Sequence, residues 1–253
     1  MKADITRVVA LGASNLTRGL ETVVSTARAA WGADVEVLGA LGHGRSYGVE
    51  SRLVVRTLPG ILQSGLWNTL SELPPATTRG LVTDVGNDIL YEFSAPTVLA
   101  WVEEAVDRLQ GVTDDIIVTD LPLHTIRNLS NPAFLMFRSI FAPKCRLSLA
   151  QVIETAERVN EGLESIAQSR GLHFVKMEPQ WYGLDPIHIR PGWWYPAWQQ
   201  ILGQQTAVRG DATWREGLNL YLMPPERQWL FGIERTSPQT GYALPRGGKL
   251  WLF

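Results

Sequence analysis

The sequence predicts an α/β protein in which helices cover both faces of a parallel sheet. Short apolar segments rich in Val and Ile alternate with longer segments of helical period, which is typical of this class. The 253 residues are 45% hydrophobic and 19% charged, so the chain can bury a large core. Length alone does not separate one large domain from two small ones.

Five strands and four main helices follow from this pattern. The strands are expected at residues 7–11, 35–38, 80–83, 116–119 and 172–176, and the helices at 17–31, 48–66, 96–110 and 149–170. Pro59 would break or kink the second helix. In the fourth helix, Val152, Ala156 and Val159 recur at helical steps. A further apolar helix is expected from about residue 192 to residue 207.

Two segments stand outside this alternation. Residues 124–147 form an insertion in which Asn131 precedes Pro132, a good start for a short apolar helix. This helix could be a lid or the wall of an acyl pocket, or equally a packing element or an oligomer contact. Residues 208–253 carry four prolines among short strand-like runs at 229–233 and 250–253, which predicts a β-type extension.

Charge and cysteine content narrow the classes of partner and compartment. The 23 basic and 25 acidic residues give a net charge of −2, which argues against a non-specific nucleic-acid binder. Cys145 has no second cysteine to pair with, which fits a reducing compartment. The amino-terminal residues lack an apolar signal region, and no segment has the length of a membrane span. We therefore expect a cytoplasmic protein without a membrane span or a nucleic-acid partner.

The first loop with chemical potential follows the first strand and reads Gly-Ala-Ser-Asn. Ser14 would lie at a strand-to-helix turn, where backbone N–H groups face any developing negative charge. The alternative is that Ser14, Asn15 or Thr17 only caps the helix. A dinucleotide fingerprint is not matched, since only Gly12 and Gly19 are present, and the G-x-S-x-G elbow is not matched either.

Two further loops could supply hydrogen-bond donors to a ligand. Residues 39–48 are rich in glycine, which lets backbone amides turn towards an anion, although a flexible connector is the alternative. His43 lies isolated among these glycines. After the third strand, the carboxamide of Asn87 could donate to an oxyanion, although Asn-Asp after Gly is also a common turn.

A carboxylate and a histidine lie three residues apart near the end of the predicted domain. This spacing would let Asp185 accept from one ring nitrogen of His188 and leave the other nitrogen free as a base. The alternative is a surface turn. Elsewhere, no His, Cys and carboxylate group has the spacing of metal ligands, so neither a metal nor a cofactor is expected.

Together, these residues carry a family resemblance. Ser14, Gly44, Asn87, Asp185 and His188 occur in the order and loop positions of the SGNH (GDSL-like) hydrolase family, which the chain resembles from the first strand to the helix after His188. The resemblance implies a flavodoxin-like three-layer α/β/α sandwich with a parallel five-stranded sheet. The β-type extension would follow it.

The same resemblance implies a role for each residue. Ser14 would be the nucleophile, His188 its general base and Asp185 the group that orients the imidazole. The oxyanion hole would consist of the Ser14 N–H, the Gly44 N–H and the Asn87 side chain, with Gly42 as an alternative to Gly44.

The chain departs from the family pattern at two positions. Ala13 stands where the family usually has Asp, and Val85 replaces the first Gly of the Gly-x-Asn-Asp block. The missing acid is a group that orders the loop and is not a triad member. We therefore expect activity to be retained.

The expected function is that of a serine ester hydrolase acting on a small-molecule ester. An acyltransferase, a carbohydrate O-deacetylase and a non-catalytic binding module are the alternatives. Because the site residues spread from Ser14 to His188, one catalytic domain is expected over residues 1–207, with residues 208–253 packed on it. Candidate substrate-binding residues are Arg45, Arg190, Phe134, Phe137 and Trp193.

Overall fold

The computed structural model describes residues 5–32, 34–203 and 213–253. The strands are β1 (Thr6–Leu11), β2 (Val35–Ala40), β3 (Ser51–Leu53), β4 (Arg56–Leu58), β5 (Thr77–Val82), β6 (Ile116–Thr119), β7 (His173–Val175), β8 (Arg227–Leu230), β9 (Ile233–Thr236), β10 (Tyr242–Ala243) and β11 (Lys249–Leu252). The helices are α1 (Ser14–Trp31), α2 (Leu66–Glu72), α3 (Asn87–Leu90), α4 (Ala95–Gln110), α5 (Leu123–Arg127), α6 (Asn131–Phe141), α7 (Leu149–Arg170), α8 (Trp194–Ile201) and α9 (Trp214–Leu222).

The main sheet has the order β10-β11-β2-β1-β5-β6-β7 among the described residues. Its neighbours pair in parallel except β10 and β11. The five predicted strands correspond to β1, β2, β5, β6 and β7, and their order is that of flavodoxin-like folds. The predicted fold class is therefore confirmed. The carboxyl-terminal extension adds β11 and β10 at one edge.

Alternate residues of β1 enter two separate cores, which defines the three layers. Val8 and Ala10 pack in the core that contains the buried faces of α1 and α8. Val9 and Leu11 pack in the core that contains α4 and α7. A strand covered on both faces has no polar side, which is why residues 8–11 of β1 form a continuous apolar run.

The predicted helix at residues 48–66 is wrong. The segment forms β3 and β4, then a short 3-10 helix at Ile61–Gln63, and α2 begins only at Leu66. Pro59 lacks an amide hydrogen, which disfavours a helix through this segment, and Val54 and Val55 form the turn between the two strands. These two strands join β8 and β9 in a second, antiparallel sheet of order β3-β4-β8-β9.

The remaining helix predictions differ from the structure only at their ends. The helix at 149–170 is confirmed with both bounds, while α1 begins at Ser14, three residues earlier than predicted. The helix predicted at 192–207 is observed as α8, and residues 204–207 of that prediction lie outside the described residues, as does the boundary between residues 207 and 208. Strands β8 and β11 of the carboxyl-terminal segment pair with β4 and β2 respectively.

Candidate active site

The predicted site residues gather at the carboxyl ends of the parallel strands. Ser14 begins α1 three residues after β1 ends, Gly44 follows β2, and Asn87 begins α3 after β5. Asp185 and His188 lie in the long connection between β7 and α8. Loops at this edge of a parallel sheet converge, so residues far apart in sequence share one site.

A continuous hydrogen-bonded chain joins the serine to the carboxylate. His188 Nε2 lies 2.9 Å from Ser14 Oγ, and His188 Nδ1 lies 2.7 Å from Asp185 Oδ2. An ionised carboxylate only accepts hydrogen bonds, so Nδ1 carries the hydrogen and Nε2 is free to accept from the hydroxyl. His188 is only 4% exposed. The imidazole therefore has the tautomer and the shielding that a general base needs.

Several contacts keep Asp185 ionised. Burial alone would raise the pKa of its carboxyl, but the hydrogen bond and charge of His188, the Ile187 N–H and the charge of Arg18 together lower that pKa below its usual value. The Ile187 and His188 N–H groups both donate to Asp185 Oδ1, at 3.2 and 3.3 Å. The backbone of this loop thus holds the Asp185 carboxylate in the position from which the carboxylate orients the His188 ring.

Asp84, which sequence reasoning missed as a site residue, clamps the turn that carries the serine. Its Oδ2 accepts from the N–H groups of Ala13 and Leu16, both at 3.0 Å. Its Oδ1 accepts from Asn15 Nδ2 at 2.9 Å. Ser14 therefore lies between two backbone amides held by one carboxylate. The backbone at Asp84 has a φ of +58°, a conformation that Asp and Asn adopt more readily than other non-glycine residues.

Asn15 joins the serine turn to the histidine loop. Its Nδ2 also donates to the carbonyl of Ile187 at 2.9 Å, and its Oδ1 accepts from the N–H of Ile189 at 2.8 Å. These two bonds hold the backbone on either side of His188. The alternative that a side chain at this turn only caps α1 is wrong, because the N-cap position is Ala13 and carries no side-chain cap.

The predicted oxyanion-hole residues line one cavity with the serine. Gly44 has a φ of +67°, which favours glycine, and its carbonyl accepts from the hydroxyl of Tyr91 at 2.5 Å. The Asn87 side chain donates to the carbonyl of Arg45 at 3.4 Å, a long bond that a better acceptor would replace. Gly42 is not among the residues that line this cavity.

Two cavities meet at Ser14. The larger one measures about 110 Å³ and extends beneath α5 and α6 towards α7. The smaller one measures about 40 Å³ and is lined by Arg18, His43, Gly44, Tyr91 and His188 among others. Ser14 and Asn87 line both.

The smaller cavity contains a histidine that is neutral at physiological pH. Burial is the largest cause that lowers the pKa of His43, and the charges of Arg18, His188 and Arg56 act in the same direction, so that together they bring this pKa to about 4. Its Nε2 lies 2.9 Å from the hydroxyl of Tyr221. His43 thus offers this cavity a polar side chain without a charge.

The predicted substrate-binding residues divide into two groups. Phe134 and Phe137 line the larger cavity. The prediction for Arg45 is corrected, because its side chain is fully buried and donates to the carbonyls of Leu41, Pro59 and Phe253.

Arg190 and Trp193 also lie away from the two cavities. Arg190 is exposed and donates to the carbonyl of Gln180 at 2.7 Å. The half-buried Trp193 packs against the core beneath α1 and α8. Both side chains are engaged by the protein itself, which corrects the prediction that they bind substrate.

Two other features, a metal-binding cluster and a membrane-spanning helix, are absent from residues 5–32, 34–203 and 213–253. Within those ranges, no group of three His, Cys, Asp or Glu side chains is placed to hold a metal ion. Over the same ranges, no helix is both long and apolar enough to cross a membrane.

Comparison with solved structures places the fold among known esterases. The inhibitor-bound aryl esterase of M. smegmatis matches with a TM-score of 0.50 and 15% identity, over 79% of this chain and 99% of that chain. This chain is therefore similar in fold to that aryl esterase. Two further matches have a TM-score of 0.49 and 12% identity. They are the esterase EstA of Pseudoalteromonas sp., over 78% of this chain and 94% of that chain, and a lipolytic G-D-S-L protein of Veillonella parvula, over 79% and 97%.

No protein-family model and no curated protein matches the chain. At 15% identity the structural likeness concerns the fold alone. Function therefore has to be argued from the geometry of the site.

Proposed function

We propose that the protein is a serine ester hydrolase that acts through an acyl-enzyme. The observation that carries this proposal is the chain from Ser14 Oγ to His188 and on to Asp185, with distances of 2.9 and 2.7 Å. A serine hydroxyl is a weak nucleophile, and a base within hydrogen-bond reach that is itself oriented by a carboxylate is the arrangement that activates it.

The first half of the proposed reaction acylates the serine. His188 Nε2 takes the proton from Ser14 as Oγ attacks the ester carbonyl, and Asp185 stabilises the imidazolium that forms. The tetrahedral oxyanion accepts from the N–H groups of Ser14 and Gly44 and from the Asn87 amide. When the intermediate collapses, the C–O bond to the alcohol breaks and the imidazolium protonates the departing oxygen.

The second half releases the acid. A water molecule gives its proton to His188 as its oxygen attacks the acyl-enzyme, and collapse of the second intermediate returns a proton to Ser14. If a sugar or another alcohol takes the place of water, the product is a new ester, as in an acyltransferase. Analysis of the product formed in the presence of such acceptors separates these two outcomes.

The geometry argues against a non-catalytic binding module. Such a module needs no contact between the serine and the histidine, whereas here Ser14 Oγ is within hydrogen-bond reach of His188 Nε2. Asp84 and Asn15, which are hydrogen-bonded to each other, brace the serine turn and the histidine loop on either side of this contact. Positioning of this kind supports catalysis.

The test is hydrolysis of aryl acetates by the wild type and by Ser14→Ala. Because triad residues act as a unit, kcat should fall by several orders of magnitude, about 10⁴-fold or more. Ser25→Ala is the matched control, since Ser25 is buried on the same helix and its hydroxyl donates only to the carbonyl of Thr22. A fluorophosphonate should label Ser14, and equal hydrolysis rates for Ser14→Ala and the wild type would sink the proposal.

A further inference from the structure

We propose that the two cavities divide the substrate, with an apolar acyl group of about four to six carbons in the larger cavity and a polar alcohol in the smaller one. The inference rests on the proposed function, because it assumes that Ser14 is acylated. It goes further by naming the class of ester and the direction in which it binds.

The direction follows from where the leaving oxygen must be protonated. When the ester bond breaks, the alcohol oxygen takes its proton from His188 Nε2, so the alcohol must lie on the histidine side of Ser14. His188 lines the smaller cavity and is not among the residues that line the larger one. The acyl group is attached to the opposite side of the reacting carbon, and therefore points into the larger cavity.

The lining of the larger cavity determines the chemistry of the acyl group. Most of the residues that line it are aliphatic or aromatic, among them Leu121, Ile126, Phe134, Phe137, Phe141 and Ala156. The charged side chains that line it are engaged elsewhere: Asp84 by the serine turn, Asp120 by the Met177 N–H and Arg138 by the Leu147 carbonyl. An apolar group therefore gains most from this cavity.

The size of the cavity limits the length of the acyl group. A buried cavity of about 150 Å³ lined by Leu, Ile and Phe binds benzene, which has six carbons. The cavity here measures about 110 Å³, which is somewhat smaller. We therefore expect an acyl tail of about four to six carbons to fill it.

The smaller cavity has a different character. Its lining includes the apolar Leu53, Leu90, Phe141, Ala142 and Ile187, but Arg18, His43 and Tyr91 add a guanidinium, an imidazole and a phenol hydroxyl beside His188. Groups that form hydrogen bonds suit an alcohol with polar substituents better than an alkyl chain. The two sides of Ser14 thus differ in polarity, which is what allows one ester orientation to be preferred over the other.

The experiment compares esters of one alcohol, p-nitrophenol, whose acyl groups run from acetyl to dodecanoyl. Each methylene buried in an apolar cavity should raise kcat/KM by about fourfold. We expect this rise to continue up to four to six carbons, and kcat/KM to level off or fall for longer chains. A profile that is flat, or that is highest for acetate, would overturn the inference.

Two variants locate the acyl group in the larger cavity. Ala156→Leu narrows it and should shift the optimum towards acetate, with at least a tenfold loss of kcat/KM for hexanoate relative to acetate. Phe137→Ala widens it and should shift the optimum to longer chains, which keeps the test valid if Ala156→Leu fails to fold. Leu135→Ala, on the exposed face of the same helix as Phe137, is the control and should leave the profile unchanged.

The outcomes separate the two proposals. If Ser14→Ala abolishes hydrolysis but neither cavity variant changes the chain-length profile, the inference fails and the proposed function stands. If Ser14→Ala retains activity, the proposed function fails first. A change in the profile of the Leu135→Ala control equal to that of Phe137→Ala would also contradict the placement of the acyl group.

Discussion

Replacing Asp84 by Asn tests whether the carboxylate on the β5 loop holds the nucleophile in place. Asparagine has almost the same shape and tolerates the positive φ of +58° at this position, so the backbone conformation can persist. Alanine would add backbone strain at that φ. Asp84→Asn therefore removes a charge and one acceptor oxygen and changes little else.

The size of the effect follows from the three hydrogen bonds that Asp84 accepts. One amide oxygen can keep the two backbone bonds from Ala13 and Leu16, but the new NH₂ group then faces Asn15 Nδ2, which is itself a donor. Hydrogen bonds to charged groups contribute about 1.5–3 kcal/mol each, and an unpaired buried donor costs a similar amount. We expect a loss of about 2–4 kcal/mol in the free energy of unfolding. A displacement of Ser14 by about 1 Å would lower kcat by about 10²-fold.

The assay combines urea unfolding with kcat and KM for an aryl acetate, and with the rate of fluorophosphonate labelling. If Asp84 positions Ser14, kcat and the labelling rate fall together while KM changes by only a few-fold. Glu36→Gln is the control, because Glu36 accepts two bonds from Arg7 at the amino-terminal end of the sheet, at 3.0 and 2.7 Å. Both variants should lose stability. An unchanged kcat in Asp84→Asn would refute the positioning role.

Two further predictions concern packing and pH. Gly19→Ala should destabilise the fold by about 1–3 kcal/mol in thermal unfolding, because the new Cβ would lie 1.8 Å from Nε1 of the fully buried Trp198. Gly217→Ala is the control and should be neutral or stabilising, because its Cβ would come no closer than 3.6 Å to another atom. Burial raises the pKa of Asp88 from 3.8 to about 6, so its stabilising contribution is complete below pH 3.8 and is lost as pH rises through 6. The stability of Asp88→Asn relative to the wild type should therefore rise between pH 4 and pH 8, by up to about 3 kcal/mol, and a pH-independent difference would contradict the assigned titration.

The elements that the sequence predicts well are those whose determinants are local. The bounds of α7 are marked by a capping box at Ser148 and Gln151 and by Gly171 in the left-handed conformation, all of which lie next to the helix in sequence. The main parallel strands are buried runs with little polar interruption. Strand β4 was missed because it pairs with β8, more than 150 residues further along the chain, and β3 is joined to that sheet only through β4. No local pattern encodes that pairing.

The same distinction applies to the site. The grouping of Ser14, Asp185 and His188 was expected from the family resemblance, and these three side chains are joined by hydrogen bonds in the structure, while their catalytic roles stay a proposal. Asp84 and Asn15 were missed because their roles depend on which loops meet. The available signal was the position of Asp84 directly after a predicted strand, in a chain that lacks the acid usual at position 13.

The departure from the family pattern at Ala13 is explained by the contacts of Asp84. Ala13 is fully buried, and its N–H donates to Asp84 Oδ2, so the turn already contains one carboxylate supplied from the neighbouring strand. A second acid at position 13 would place two negative charges in the same buried turn, which is costly unless one is neutralised. The carboxylate that orders the turn is thus supplied by the β5 loop, which also carries Asn87. A single loop therefore holds the turn of Ser14, the proposed nucleophile, and carries Asn87, the proposed oxyanion donor, so we expect a shift of that loop to move both residues together.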